Sequence, residues 1–445
     1  MIESKPQFGL KIKALSARLT GGKELVGGAI AGYTFMGMNI LMQVLYVPIY
    51  LKYLGKFEFG VLMLLLSFFN YASMGIVWMS GGMQRILGEC AAVGDEEGFT
   101  RAYSLCKTVN CLYAAVIALA MVLVGTVGLN VFFPGTPIEH RMSIQYSVIA
   151  AAIYFVVLYE FNVERLALAA RQELVVGYLF QILSLVTFAI PVVFCLRAGG
   201  GLKSILICLL LGVISARVCS WIFWRKRGVI VVWRLPDRES IPMLKRLTGK
   251  MGRGFMLYGP ILLTIQADML MVGKLGGALA AAQFALVWRI ADALIQVFWK
   301  IPELIQPYIV QMDTRGEHGR LTKIYRRANI LMQVLPLAAG IGYALGGYWL
   351  VRLWVGPAHA PYNPMGYALA GAAIFWMSSA RLPSVYAFAK VEMRKLNTIA
   401  GVEMVGKLLL TIILFPRVSY LAPLIATSVM HAGGIAIAYR RMVRL

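Results

Sequence analysis

The sequence predicts an all-α polytopic membrane protein, with twelve transmembrane helices arranged as two parallel-repeat six-helix lobes around a central cavity. Three observations support this fold class: the composition, a series of long uncharged runs and an internal repeat. Of the 445 residues, 60% are hydrophobic and only 14% are charged, and the mean hydropathy is +0.73. Soluble domains carry about 25% charged residues, so this much apolar surface indicates burial in lipid.

Charged residues divide the chain into apolar runs that are long enough to cross a bilayer. A helix needs about 20 apolar residues to span the ~30 Å hydrocarbon core. The first half contains uncharged runs of 27, 26, 31, 18 and 23 residues, followed by a sixth apolar stretch that contains Arg217. In the second half the predicted helices cover about 254–274, 279–309, 328–351, 365–389, 396–416 and 420–439.

The basic residues predict how these helices are oriented. With the N-terminus inside, 30 of the 43 Lys and Arg residues lie in inner segments and 8 lie in outer loops, as the positive-inside rule requires. Both termini are therefore expected in the cytoplasm, and the net charge of +23 does not indicate a nucleic-acid partner. The predicted organisation is a cytoplasmic basic N-terminus (1–23), an N-terminal six-helix lobe (24–224), a cytoplasmic basic linker (225–253) and a C-terminal six-helix lobe (254–445).

The two halves of the chain resemble each other. Residues 94–103 (GDEEGFTRAY) align without a gap on residues 316–325 (GEHGRLTKIY), at an offset of 222 positions. Gly55 falls on Gly277 at the same offset. Because each half has an even number of spans, both halves enter the membrane in the same sense, which predicts a parallel repeat. Chance similarity between two basic inner loops is the alternative.

Two segments resemble a known family of transporters. Residues 48–60 (PIYLKYLGKFEFG) follow the first helix, and residues 266–276 (QADMLMVGKLG) and 282–290 (AQFALVWRI) are their counterparts in the second half. These segments are similar to the polysaccharide and O-antigen flippases of the multidrug/oligosaccharidyl-lipid/polysaccharide exporter superfamily. The resemblance extends over essentially the whole chain.

The resemblance implies a transporter of the bacterial inner membrane. Its expected function is to translocate a polyprenyl-diphosphate-linked oligosaccharide, the repeat unit of a lipopolysaccharide O-antigen or an exopolysaccharide, by alternating access. The expected partners are this lipid-linked oligosaccharide, membrane lipids, H⁺ or Na⁺ as a coupling ion, and a polymerase of the same pathway. Neither a cofactor, a metal site nor a catalytic residue is expected.

Charged residues inside the predicted helices are the candidate site residues, because burying a charge at mid-bilayer costs several kcal/mol. A diphosphate cannot cross hydrocarbon unaided, and the guanidinium group of arginine matches phosphate oxygens with a planar fork. The predicted substrate-binding residues are Arg217, Arg289, Arg381, Gln296 and Lys407. For each arginine, a structural ion pair with an acid on another helix is the alternative.

The eighth predicted helix carries the clearest polar stripe. Its members Arg289, Asp292, Gln296, Lys300 and Glu303 recur at helical spacing and form one polar face. Such a face must point to protein or water, so it predicts either a wall of the central cavity or a salt-bridge seam between helices.

Two carboxylates, Asp268 and Asp292, are the candidates for ion coupling. A buried carboxylate can change its protonation state as access alternates between the two sides of the membrane. Six cysteines fit neither a zinc site nor a disulfide framework. Cys195 and Cys208 lie near the outer ends of neighbouring helices and could approach each other, although buried thiols are the simpler interpretation.

Three other functions compete with the flippase hypothesis. An ion-coupled multidrug or organic-cation antiporter of the same superfamily favours an acidic cavity, whereas the deepest charges here are cationic. An intramembrane glycan polymerase or glycosyltransferase usually requires a sizeable outer loop with acids or bases. The longest predicted outer loop, 352–364, contains His359 and no carboxylate. A scaffolding role is the third alternative.

Overall fold

The computed structural model describes residues 6–126, 137–226, 240–314, 316–389 and 393–442, with most of their side chains from residue 27 onward. Within this part of the chain the secondary structure is helical and contains no β-strand. The helices are α1 (Pro6–Val93), α2 (Glu96–Thr126), α3 (Ile138–Ala170), α4 (Leu174–Arg197), α5 (Gly201–Lys226), α6 (Ser240–Thr314), α7 (His318–Val355), α8 (Pro364–Ala389), α9 (Met393–Val418), α10 (Ala422–Met430) and α11 (Ala436–Arg441), with a 3₁₀ turn at Ser419–Leu421 and a π-helical turn at His431–Ile435.

Two of these helices are too long for a single crossing of the membrane. Helix α1 has 88 residues and α6 has 75 residues, whereas about 20 residues span the hydrocarbon core. Each contains one glycine with a positive φ, Gly55 (φ 72°, ψ 177°) and Gly277 (φ 75°, ψ −173°). Glycine adopts this conformation without steric strain because it has no Cβ. Each glycine therefore ends one straight helical segment and starts the next.

The described chain contains twelve helical segments of membrane-spanning length. Eight stretches are long and apolar enough to cross a membrane. Three of them comprise two segments each. A glycine kink divides Ile30–Ile76 and also Ala267–Pro302, and the 3₁₀ turn divides Lys395–Arg441. Helix α8, with 26 residues, is the remaining segment. The prediction of an all-α multi-pass membrane protein is confirmed.

The predicted basic linker is partly helical. Residues 227–239 lie outside the described part of the chain, and from Ser240 onward the chain already forms the first turns of α6. At the N-terminus, residues 1–5 lie outside the described part, and α1 begins at Pro6.

Backbone conformation repeats at the offset that the sequence predicts. The kinks at Gly55 and Gly277 are 222 positions apart and have nearly the same φ and ψ. Gly94 and Gly316 are separated by the same offset, and their φ angles are 72° and 71°. In both halves the next helix starts two residues after the second glycine. The repeat is therefore structural, and chance similarity between two loops does not explain it.

A side-chain contact also repeats between the halves. In the first half, the hydroxyl of Tyr103 lies 3.4 Å from Oε1 of Glu164, joining α2 to α3. The equivalent positions in the second half are Tyr325 and Tyr386, whose rings meet edge to face with centroids 5.1 Å apart and join α7 to α8. The packing of these two helices is preserved, while a hydrogen bond in one half is replaced by an aromatic contact in the other.

The chain forms two compact units that do not follow the order of the sequence. One unit comprises Met1–Gln43, Gly75–Gly125 and Ser143–Gly254, and the other comprises Val44–Met74, Thr126–Met142 and Phe255–Leu445. The core of the first unit is an apolar cluster from α1, α2, α3 and α5 that includes Met83, Phe99, Leu166 and Trp224. The predicted lobe boundaries, 24–224 and 254–445, stay a prediction.

Within the second unit, the segment Val44–Met74 of α1 packs directly on the second half of the sequence. The indole Nε1 of Trp354 donates a hydrogen bond to the carbonyl oxygen of Val44, at 2.9 Å. Gly60 lies so close to Ala278 that a Cβ added at position 60 would overlap its carbonyl oxygen. Backbone contact at this distance requires glycine, which is common where membrane helices pack closely.

Candidate functional site

Among the described side chains, the most deeply buried ion pair joins two helices of the second unit. Nζ of Lys407 on α9 donates a hydrogen bond to Oδ2 of Asp268 on α6, at 2.8 Å, and the two side chains are 3% and 10% exposed. One residue was predicted to bind substrate and the other to couple an ion. The structure brings them together as one unit, so a change in the charge of either side chain acts directly on the other.

A small cavity lies beside this pair. It has a volume of about 60 Å³, which holds a few water molecules but not an oligosaccharide. Five helical elements, α6, α8, α9, α10 and α11, contribute to its wall together with the π-helical turn. Its lining residues are Trp299, Met377, Ala380, Arg381, Ser384, Glu403, Lys407, Thr427, His431 and Tyr439.

Glu403 is the acidic centre of the cavity wall. His431 Nε2 lies 3.2 Å from Oε1 of Glu403, and the hydroxyl of Tyr439 donates a hydrogen bond to Oε2 at 3.1 Å. The imidazole of His431 is 3% exposed and stacks parallel to Trp376, with ring centroids 6.4 Å apart. The contacts of Glu403 join α9 to the π-helical turn and to α11.

Arg381 lines the same cavity. Its guanidinium carbon is 4.8 Å from the centre of the Trp299 ring. The indole Nε1 of Trp299 donates a hydrogen bond to the carbonyl oxygen of Met377, at 3.2 Å, which fixes the orientation of that ring. Stacking of this kind stabilises a cation through the negative face of the aromatic ring.

The polar stripe predicted in the eighth helix lies in α6 beyond the Gly277 kink. Nε2 of Gln296 donates a hydrogen bond to Oδ2 of Asp292, at 2.8 Å. Arg289 lies one turn earlier, and among the described side chains it has no acid within salt-bridge distance, while its Nε has no hydrogen-bond partner. The side chain of Glu303, the last member of the stripe, lies outside the described residues.

Arg217 belongs to the first unit and contacts two acids of α3. Its guanidinium group bonds Glu164 and lies 3.6 Å from Glu160. Lys107 of α2 lies 3.9 Å from the same Glu160 carboxylate. The first unit thus carries a polar network of two acids and two bases. This arrangement corresponds to the alternative prediction for Arg217, a structural ion pair with an acid on another helix.

The predicted site residues therefore fall into three groups. Arg381, Lys407 and Asp268 meet at or beside the cavity, and Arg289, Asp292 and Gln296 follow one another along α6, while Arg217 lies in the other unit.

Two contacting residues were not predicted. His431 lies in the cavity wall, and Glu164 contacts Arg217 in the first unit. No local spacing in the sequence links His431 to Glu403.

Comparison with curated proteins gives one distant relative. No protein-family model matches the chain. The chain is similar to the uncharacterized membrane protein EpsK of Bacillus subtilis (strain 168), with 23% identity over 380 residues that cover 82% of this chain and 72% of EpsK.

Solved structures of membrane transporters are similar along nearly the whole chain. A multidrug resistance MATE family transporter of the MOP superfamily, in its inward-facing conformation, gives a TM-score of 0.76 at 13% identity, covering 91% of this chain and 94% of the transporter. The lipid II flippase MurJ, in an inward closed conformation, gives 0.66 at 14% identity, covering 93% and 86%. An outward-facing MATE transporter gives 0.59 at 14% identity, covering 94% and 92%. The chain therefore has the twelve-helix, two-lobe fold of MOP-superfamily transporters, which confirms the predicted fold class.

Proposed function

We propose that this protein is a flippase that translocates a polyprenyl-diphosphate-linked oligosaccharide across the bacterial inner membrane. The observation that carries the proposal is Arg289, a permanent cation in the middle of an apolar helix with no acid within salt-bridge distance among the described side chains. The fold shared with the lipid II flippase MurJ supports a lipid-linked substrate.

The charges of the substrate explain why such an arginine would be retained. A diphosphate linkage carries about two negative charges at neutral pH, and it must lose water to enter the protein. An arginine compensates this charge and can form paired hydrogen bonds with phosphate oxygens. Arg289 and Arg381 are the primary candidates for this contact, with Gln296 beside Arg289.

Arg217 and Lys407 would bind an anion only in competition with their acidic partners. Arg217 contacts Glu164, and Lys407 contacts Asp268. A phosphate group that approached either cation would weaken an existing ion pair. In this proposal, substrate binding at either cation therefore changes the environment of its acidic partner. For Lys407 that partner is Asp268, one of the proposed ion-coupling carboxylates.

Coupling is assigned to the carboxylates Asp268 and Asp292. One elementary charge that crosses the membrane field is worth about 2.3 kcal/mol per 100 mV, so one coupled ion could drive the cycle. Transporters with this fold are known in inward-facing and outward-facing conformations, which supports alternating access as the mechanism.

Gene deletion with analysis of lipid-linked intermediates tests the proposal. A strain without this protein should accumulate the complete lipid-linked repeat unit on the cytoplasmic side of the membrane and lose surface polysaccharide. The wild-type gene should restore export, and a polymerase of the same pathway should then receive its substrate. Normal surface polysaccharide in the deletion strain would contradict a flippase function.

An ion-coupled exporter of organic cations is the second candidate. It is favoured by the similarity to multidrug resistance MATE transporters and by the buried acids Asp268, Asp292 and Glu403. The same deletion strain separates the two functions. Sensitivity to cationic drugs with unchanged surface polysaccharide would support the antiporter and exclude the flippase.

A further inference from the structure

Two cysteines meet where α4 and α5 form an antiparallel hairpin. Sγ of Cys208 lies 4.0 Å from Sγ of Cys195, which is van der Waals contact between sulfur atoms, and both residues are unbridged. Cys195 stands two residues before the end of α4, and Cys208 lies in the second turn of α5. Neither residue takes part in the charged networks of the candidate functional site.

The packing of the hairpin holds the two thiols in this position. Further along the hairpin, Oγ1 of Thr187 lies 2.8 Å from Oγ of Ser215, in a hydrogen bond between the two helices. A Cβ at Gly212 would collide with the backbone of Ser184, so the helices touch closely at that level. In the turn, the amide of Gly200 donates to the carbonyl oxygen of Cys195 at 2.9 Å. The distance between the sulfur atoms is therefore set by several independent contacts.

We propose that Cys195 and Cys208 are an oxidisable dithiol that closes into a disulfide between α4 and α5. The turn that joins these helices lies on the outer side in the orientation predicted by the basic residues, and disulfides form and persist in that compartment. The oxidant is a disulfide carried by an extracytoplasmic thiol oxidase or by a small molecule. The proposal is independent of the transported substrate.

The reaction balances as two thiol–disulfide exchanges. Cys195 is partly exposed, whereas Cys208 is 1% exposed, so the thiolate of Cys195 attacks the oxidant first and expels one of its sulfur atoms as a thiolate. The thiolate of Cys208 then attacks Sγ of Cys195 and expels the second sulfur atom. The protein loses two electrons and two protons, and the oxidant disulfide gains them as two thiols.

Alkylation followed by mass spectrometry tests the proposal on the full-length protein in its membrane. Membranes are treated with oxidised glutathione, remaining thiols are blocked with N-ethylmaleimide, and peptides are compared with and without reduction. We expect a cross-linked peptide pair that contains Cys195 and Cys208, lighter by two hydrogens than the reduced peptides, which disappears on reduction. Both cysteines carrying N-ethylmaleimide after oxidised glutathione treatment would overturn the proposal.

Serine variants provide the controls. Cys208→Ser should leave Cys195 open to N-ethylmaleimide, or joined to glutathione as a mixed disulfide, with no internal cross-link. The other four cysteines, Cys90, Cys106, Cys111 and Cys219, should be absent from the cross-linked peptide. In the wild-type protein, the oxidised form should unfold at a higher temperature than the reduced form, because a cross-link restricts the unfolded chain. Cys195→Ser should show no such difference, and equal unfolding temperatures for both wild-type forms would count against a structural effect of the bond.

Discussion

Nζ of Lys407 lies 2.8 Å from Oδ2 of Asp268, and 139 residues separate the two in the sequence. Both side chains are almost completely buried, so water does little to compensate either charge, and Glu403 also acts electrostatically on both. Breaking a buried pair by removing one partner costs about 3–5 kcal/mol, because the remaining charge is left without compensation. Asp268→Asn should therefore strongly lower the unfolding temperature of the protein in detergent.

A double variant separates the unpaired charge from the loss of the contact itself. Asp268→Asn combined with Lys407→Met removes both members of the pair and leaves Glu403 in contact with His431. It should recover much of the stability lost in Asp268→Asn. The pair Arg85–Glu89, with side chains 69% and 38% exposed, is the matched control. Its disruption should cost less than about 1 kcal/mol. A double variant as unstable as the single one would show that the ion pair is not the dominant interaction of Asp268.

Local patterns explain why the helices and the repeat were predictable while most partners were not. Uncharged runs indicate membrane spans directly. The glycines at 55 and 277 repeat because each must adopt a positive φ. Salt-bridge partners depend on which faces of distant helices meet. The sequence identified Asp268 and Lys407 as buried charges but gave no reason to pair them. Glu164, which contacts Arg217, was likewise not among the predicted site residues.

Gly60 should tolerate no side chain. A Cβ at this position would overlap the carbonyl oxygen of Ala278, a backbone atom that cannot rotate away. Gly60→Ala should therefore separate the Val44–Met74 segment from α6 locally and destabilise the protein by about 1–3 kcal/mol, as is typical of overpacking. Gly88→Ala is the matched control, because position 88 is helical and no atom lies within 4 Å of an added Cβ. Thermal unfolding of the two variants measures the difference, and equal stability would contradict the close backbone contact.

Gly55, the kink glycine of α1, should respond to substitution through backbone strain alone. At Gly55 an added Cβ would meet no atom within 4 Å, so Gly55→Ala changes only the conformational energy at a φ of +72°. The expected cost is about 1–2 kcal/mol, and Gly277→Ala should be at least as costly. Asparagine tolerates positive φ better than alanine does, so Gly55→Asn should lie between the wild type and Gly55→Ala in thermal unfolding.

For Gly37, a glycine inside a helix, we expect an effect on stability opposite to that at Gly55. Gly37 also has open space around an added Cβ but has no positive φ. Gly37→Ala should leave stability unchanged or raise it by up to about 1 kcal/mol, because alanine loses less conformational freedom in a helix. If Gly37→Ala and Gly55→Ala lowered the unfolding temperature equally, backbone strain at the kink would not be the cause.

Arg289 should be required for transport and not for insertion. Arg289→Ala removes a permanent cation that has no acid within salt-bridge distance among the described side chains. No direct ion pair is lost, but Asp292, one turn away, loses a nearby positive charge. A hydrogen bond to a charged group contributes about 1.5–3 kcal/mol, which corresponds to a decrease of about 10- to 100-fold in the flux of lipid-linked repeat unit. Arg289→Lys keeps the charge and loses the planar fork, so it should retain intermediate flux.

This comparison measures transport only if each variant is present in the membrane in the same amount. Arg352→Ala provides the matched control, because Arg352 is an exposed cation at the end of α7 that stacks on Trp349. Its removal should leave flux at the wild-type level. Flux is measured as export of the repeat unit in the deletion strain after complementation with each gene. Wild-type flux from Arg289→Ala would remove Arg289 from the substrate path. The anion-binding role would then be assigned to Arg381, because its guanidinium group lies in the cavity wall and stacks on Trp299.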